Sequence, residues 1–177
     1  MSATDLDTAP TRATPAPVPV PTLGHVHLKV ANLDRALGFY RDLLGFEVME
    51  RMGADAAFLA TDGYHHHLAL NTWESKDASP PPPGHTGLFH AAFLYKDRAD
   101  LGAVVKRVLD AGYRLDGASD HGVSEAVYLR DPDGNGVELY RDRPRADWPR
   151  RSDGSLKMTS QRLDLAALLA EAHPEQS

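Results

Sequence analysis

The same order of secondary-structure elements is predicted twice along this chain. In the first half, polar and apolar residues alternate from 25 to 31, which predicts a strand. Apolar residues at helical spacing follow from Leu33 to Leu44, and Gly45 is placed to end this helix. Three further strand patterns, bounded by turns, lie at 47–52, 56–61 and 66–72.

After the Pro-rich segment 74–87 the order begins again. A strand pattern at 88–95 precedes a helical pattern at 99–112, which Gly112 ends. Three strand patterns follow, at 113–119, 124–131 and 136–142. The sequence DPDGNG is a strong turn signal between the last two.

This duplication predicts an α+β fold of two tandem βαβββ units, whose sheets form an open, cupped barrel with helices outside. We expect one domain over 23–145, made of half-modules 23–73 and 88–142 joined by the linker 74–87. His25 and His90 open the first strand of each unit, so they are expected at equivalent positions.

The two ends of the chain differ from this pattern. Residues 1–22 are rich in Pro and Ala and lack the apolar core of a secretory signal, so a disordered leader is expected. Without a long apolar run, we expect a cytoplasmic protein. The tail 146–177 contains LDLAALLAEAH, a short amphipathic helix that either folds back on its own domain or contributes to a dimer contact.

The composition limits the partners and the kinds of chemistry that are expected of this chain. The net charge is −6 and basic residues are not clustered, which argues against nucleic acid or an anionic membrane as the main partner. The chain has no cysteine, which excludes disulfides and thiolate chemistry. A bound metal would therefore need ligands from His, Asp and Glu.

Three residues form a candidate metal site: His25, His90 and Glu138. Alternation in GVELY turns Glu138 toward the cup while Val137 and Leu139 pack on the helices. Each residue alone has an ordinary structural interpretation. Together, at duplicated positions, two histidines and one carboxylate are the facial ligand set of Fe(II), Mn(II) and similar ions.

The chain resembles the vicinal oxygen chelate superfamily of glyoxalases, fosfomycin-resistance enzymes, bleomycin-binding proteins and extradiol dioxygenases. The stretches that carry the resemblance lie within 23–145 and read GHVHLKVANLDRALGFYRDLLGF, GLFHAAF and YLRDPDGNGVELY. The resemblance implies that His25, His90 and Glu138 bind the metal.

FLATDGYHHHLAL is similar to a segment of catechol 2,3-dioxygenases in which the second histidine of a pair is the acid–base. The resemblance carries this role to His66, and it implies that Tyr128 hydrogen-bonds a catecholate oxygen. It further implies a non-haem Fe(II) extradiol dioxygenase that acts on a catechol-type aromatic with O₂, and a homodimer. Mn(II) or another divalent metal is the alternative cofactor.

Three sets of alternatives stay open at this point. Strand parity places His67 opposite Glu138, whereas the dioxygenase pattern favours His66, and a bulge could reconcile them. The alternative functions are a glyoxalase-type isomerase, a thiol transferase and a metal-free drug-binding protein. His121 either contacts and orients a residue of the site or is only a loop residue. His27 is expected to contact the metal ligands without binding the metal itself.

Overall fold

The computed structural model describes residues 20–172, and it shows one sheet for each half of the chain. The first half contains β1 (Val26–Lys29), α1 (Leu33–Leu37, continued by a π-helical turn over Gly38–Leu43), β2 (Glu47–Met52), β3 (Ala56–Ala60) and β4 (Leu68–Asn71). The second half contains β5 (Ala91–Leu94), α2 (Arg98–Asp110), β6 (Leu115–Asp120), β7 (Ser124–Arg130), β8 (Gly136–Asp142), a 3₁₀ turn (Arg145–Asp147), β9 (Gln161–Arg162) and α3 (Leu165–Ala170).

The strand orders of the two sheets are related by the duplication. The first sheet has the order β1-β4-β3-β2 and the second β5-β8-β7-β6-β9. In both, the first strand of the unit lies parallel to the last, and the remaining pairs within the unit are antiparallel. The predicted α+β class and the twofold βαβββ order are confirmed.

The two main helices begin at side-chain caps and end at glycines. The Asn32 side chain accepts the Arg35 backbone N–H at 2.9 Å, and Asp97 accepts those of Ala99 and Asp100. Gly45 and Gly112 follow the helices with φ of 88° and 86°, a conformation that favours glycine.

Both halves share one hydrophobic core, which lies on the helix side of each sheet. Tyr40 of the π-helical turn is fully buried, and its hydroxyl donates to Asp131 of the β7–β8 turn at 2.9 Å. In the same turn Asp133 Oδ1 accepts the Ala31 N–H at 3.1 Å and the Arg35 guanidinium at 2.6 Å. These hydrogen bonds hold the DPDG turn of the second half against the first half.

The C-terminal segment packs against its own domain. Strand β9 pairs with β6, and α3 packs on α2 at Gly102, where an added Cβ would lie 2.6 Å from the Leu168 carbonyl oxygen. Arg98 and Glu171 form an ion pair between α2 and the end of α3.

The predicted leader (1–22) lies outside the described residues except for its last three, as does the end of the predicted tail helix at residue 173. Between residues 20 and 172, no helix is long and apolar enough to cross a membrane.

Candidate metal centre

His90 and Glu138 lie side by side at the start of the second sheet. The imidazole Nε2 is 2.8 Å from Glu138 Oε2, and the Glu138 side chain is only 13% exposed. β5 and β8 are parallel neighbours, and Ala92 of β5 pairs with Glu138 of β8. His90 directly precedes β5, so its side chain is close enough to reach the Glu138 carboxylate. Val137 and Leu139 are buried in the core, which turns Glu138 to the opposite face, as predicted.

Gly136 makes this close pairing possible. A Cβ at this position would lie 1.9 Å from the Phe89 carbonyl oxygen and 3.1 Å from the His90 Cα. Since real Cβ atoms do not approach backbone atoms so closely, only glycine lets the residues before β5 lie against the start of β8.

Tyr128 and His121 continue the cluster on the same face. Tyr128 is the cross-strand partner of Glu138, and its hydroxyl oxygen lies 3.3 Å from Glu138 Oε1 and 2.7 Å from His121 Nε2. Burial, followed by the charge of Glu138, raises the pKa of Tyr128 to about 12. His121 Nδ1 lies 2.9 Å from the carbonyl oxygen of Thr159 in the C-terminal segment.

A second cluster forms at the start of the first sheet around His25. The His25 and His66 rings lie 4.4 Å apart, and His66 also contacts Phe58 and, at 2.7 Å between Nδ1 atoms, His65. Partial burial, with His25 the next cause, lowers the pKa of His66.

The structure distinguishes the two candidate histidines of the triplet. His67 stacks on Tyr64 and has Asp62 at 4.0 Å, away from His25, whereas His66 lies against His25. β4 begins only at Leu68, so residues 65–67 precede the strand and the parity argument for His67 does not apply.

The chain does not bring its three predicted ligands together. Within residues 20–172, no group of three His, Asp or Glu side chains has the geometry to hold a metal ion. His90 and Glu138 fit as two adjacent ligands, since donors about 2.1 Å from one ion lie roughly 3 Å apart. His25, the predicted third ligand, belongs to the other cluster and is exposed.

A cavity of about 250 Å³ adjoins the His90–Glu138 pair. Phe89, His90 and Tyr128 line it together with Arg130 and Val137. Its apolar walls and few polar groups are typical of small-molecule sites.

Other histidines have simpler surroundings. His27 Nε2 accepts from the Asn71 side-chain amide at 2.8 Å, and its ring meets Trp73, which is 57% exposed. His85, in the Pro-rich segment between the two halves, is exposed. The contact between His121 and the Thr159 carbonyl oxygen was not predicted, because no local sequence pattern shows that the C-terminal segment returns to His121.

On the open face of one sheet, the structure groups a histidine–glutamate pair and a tyrosine beside an apolar cavity, an arrangement suited to binding a small molecule. The family model for the Glyoxalase/Bleomycin resistance protein/Dioxygenase superfamily matches residues 22–139. The chain belongs to this superfamily.

Two curated relatives are dioxygenases. The catechol-2,3-dioxygenase of Bacillus subtilis (strain 168) is 40% identical over 86% of this chain and 53% of its own length. Biphenyl-2,3-diol 1,2-dioxygenase 3 of Rhodococcus globerulus is 35% identical over 69% of this chain and 64% of its own. The chain thus spans about half to two thirds of the length of these relatives.

Solved structures share the fold over nearly their whole length. A glyoxalase/dioxygenase from Nostoc punctiforme superposes with a TM-score of 0.60 at 21% identity, covering 76% of this chain and 99% of its own. A lactoylglutathione lyase from Agrobacterium tumefaciens superposes with a TM-score of 0.54 at 27% identity, covering 70% and 95%.

Proposed function

We propose that this protein is a metal-dependent extradiol dioxygenase that cleaves a catechol-type aromatic ring with O₂. The observation that carries the proposal is the His90–Glu138 pair, with Tyr128 beside it at the edge of an apolar cavity. The relative that is 40% identical is a catechol-2,3-dioxygenase, which supports the same chemistry.

His90 and Glu138 would hold the metal, with His25 as the third ligand. Fe(II) is the proposed ion. Mn(II) is the alternative, since a relative 26% identical over 76% of this chain, from Geobacillus genomosp. 3, is a manganese-dependent 2,3-dihydroxybiphenyl 1,2-dioxygenase. When bound, such an ion supplies a Lewis-acidic, redox-active centre for a vicinal diol and O₂.

The protein's own groups would orient the substrate and move protons. His66 is the proposed acid–base. Its lowered pKa keeps the imidazole neutral, and so able to accept a proton, to a lower pH than an ordinary histidine. Tyr128 would hydrogen-bond a substrate oxygen, and Phe89 would contact the ring in the cavity.

A glyoxalase-type isomerase is the second candidate. The observation in its favour is the likeness to the lactoylglutathione lyase from Agrobacterium tumefaciens, which is 27% identical and superposes with a TM-score of 0.54. A homodimer and a cytoplasmic location stay predictions within either function.

The test is anaerobic reconstitution with Fe(II), followed by a panel of catechols and air. We expect a yellow ring-fission product whose formation is lost in Glu138→Ala and falls about 10²–10⁴-fold in His66→Phe. His85→Phe changes an exposed linker histidine and should keep full activity. Metal binding without product, together with turnover of a hemithioacetal, would favour the isomerase instead.

A further inference from the structure

We propose that His27 selects catechols whose ring carries a short side chain ending in a carboxylate, by donating its Nδ1 hydrogen to that group. The inference rests on the proposed function, because it describes how the substrate of that reaction is recognised. It starts from the open face of the first sheet, where aromatic rings continue from His66 toward the end of β1. We call His27, Phe58 and Trp73 the substituent subsite.

Three neighbouring strands bring the subsite together. His27 of β1 pairs with Ala69 of β4, which pairs with Phe58 of β3. The residues on either side of each of them in its strand contact the hydrophobic core: Val26, Leu28, Ala57, Leu59, Leu68 and Leu70. By alternation the three paired side chains lie on the opposite face. Because Ala69 is small, the His27 and Phe58 rings approach each other across it, with centroids 6.2 Å apart.

The subsite adjoins the proposed third metal ligand and the proposed acid–base. The His66 ring lies 4.4 Å from that of His25 and 5.1 Å from that of Phe58. His27 follows His25 by two residues, and residues at this spacing in a strand lie roughly 7 Å apart on one face. A catechol bound at His25 and His66 would therefore direct a side chain on its ring toward His27.

The hydrogen bonds of Asn71 fix which nitrogen of His27 donates. Asn71 is buried, and its Oδ1 accepts the Trp73 backbone N–H at 3.2 Å, so the other end of the amide is the NH₂ group. The Asn71 Nδ2 lies 2.8 Å from His27 Nε2, which must accept because the amide nitrogen only donates. The ring then carries its hydrogen on Nδ1. Between residues 20 and 172, Asn71 is the only hydrogen-bond partner of His27.

The free Nδ1 donor lies among apolar rings at the surface. The Trp73 ring is 5.6 Å from His27 and 57% exposed, and Phe58 contacts the same imidazole. A ligand that covers these rings removes water from a hydrogen bond to His27, and a hydrogen bond away from water is stronger. An alkyl side chain would instead leave the donor covered without an acceptor, which is unfavourable.

The charge beside the subsite favours a negative acceptor. Lys29 is two residues after His27 in β1 and lies on the same face. Its ammonium group is 3.4 Å from the Glu74 carboxylate, and both side chains are largely exposed. Exposed pairs of this kind contribute little, so a ligand carboxylate can exchange for Glu74. Hydrogen bonds to an ionised acceptor are also stronger than those between neutral groups.

The test is binding without oxygen, so that it does not depend on turnover. Anaerobic titration calorimetry of the Fe(II)-loaded protein gives the Kd of catechol and of two matched pairs of probes. The pairs are 4-propylcatechol with 3,4-dihydroxyphenylacetate, and 3-propylcatechol with 2,3-dihydroxyphenylacetate. The variants are His27→Phe, which keeps a ring and loses the donor, and His27→Asn, which keeps a donor. His85→Phe, in the exposed linker, is the control.

We expect the wild type to bind the carboxylate of at least one pair about tenfold more tightly than its alkyl counterpart. His27→Phe should abolish this preference and leave the Kd of plain catechol unchanged, which shows that the variant is folded. His27→Asn should restore part of the preference. Equal Kd values within both pairs in the wild type would overturn the proposal. A His27→Phe variant that keeps the preference, or that weakens all five probes equally, would overturn it too.

Failure of the proposed function gives a different result. If the carboxylate preference depends on His27 but no ring is opened when air is admitted, the subsite stands and the reaction is wrong. If catechol is opened without any carboxylate preference, the reaction stands and the subsite is wrong. If the Fe(II)-loaded protein binds none of the probes, both are wrong.

Discussion

The hydroxyl of Tyr128 lies between His121 and Glu138, and it has only one proton to donate. The carbonyl oxygen of Thr159 can only accept, so His121 Nδ1 carries the hydrogen and Nε2 of the neutral ring is an acceptor. The Tyr128 hydroxyl can donate to His121 Nε2 at 2.7 Å and to Glu138 Oε1 at 3.3 Å, and both contacts orient it. This leaves the Tyr128 oxygen free to accept from a substrate hydroxyl.

Replacing His121 tests this orientation. We expect His121→Ala to lower kcat/KM for catechol about tenfold, the effect of losing one neutral hydrogen bond of ~1.4 kcal/mol. His121→Gln should restore much of it, because an amide can donate to Thr159 and accept from Tyr128. Equal losses in both variants, with unchanged thermal stability, would contradict the assigned hydrogen-bond direction.

Gly136 gives a second prediction for a single residue. Gly136→Ala should push Phe89 and His90 away from β8, separate the metal ligands and weaken metal binding. Crowding of this kind costs about 1–3 kcal/mol of folding stability. Gly87→Ala is the control, since a Cβ there meets nothing within 4 Å. Metal titration and thermal unfolding of the two variants measure the difference, and similar values would refute the role of Gly136.

Among the elements, the start of α2 is tied to β7 and β8 by one buried carboxylate. Glu125 is 4% exposed and accepts from Arg98 at 3.0 Å, Arg141 at 2.8 Å and Arg143 at 3.1 Å. Removing its charge leaves three guanidinium groups without their shared partner.

We therefore expect Glu125→Gln to lower the free energy of unfolding by about 3–5 kcal/mol. Glu74→Gln is the matched control, because Glu74 and its partner Lys29 are 78% and 63% exposed, and exposed pairs contribute about 0–1 kcal/mol. Urea unfolding of both variants gives the two values. A loss below about 1 kcal/mol in Glu125→Gln would show that the cluster does not stabilise these elements.

The packing of α3 on α2 requires glycine at position 102. Gly102→Val would place atoms against the Leu168 carbonyl and displace α3, and with it the segment that carries Thr159. We expect faster proteolysis of the C-terminal segment. We also expect a lower activity, as in the His121 variants, because the contact between Thr159 and His121 is weakened. Ala103→Val, one residue along the same helix and half-buried, is the control. Unchanged proteolysis in Gly102→Val would contradict this packing.

At the scale of the whole molecule, periodicity was enough to predict the duplicated element order, since strand and helix patterns are local. Alternation also placed Glu138 on the open face correctly. The position of His66 was harder to predict because residues 65–67 precede β4 and follow no strand period. The return of the tail to His121 and the separation of His25 from His90 depend on contacts between distant segments, which no local pattern encodes.

The proposed function requires that the metal-loaded protein uses O₂ to open a catechol ring. The most direct measurement is O₂ uptake against catechol consumed, in Fe(II)-loaded protein and in the same sample stripped with a chelator. An extradiol dioxygenase is expected to consume one O₂ per catechol and to form a yellow product, and to do neither after the metal is stripped. Iron-loaded protein that binds catechol but consumes no O₂ would contradict it.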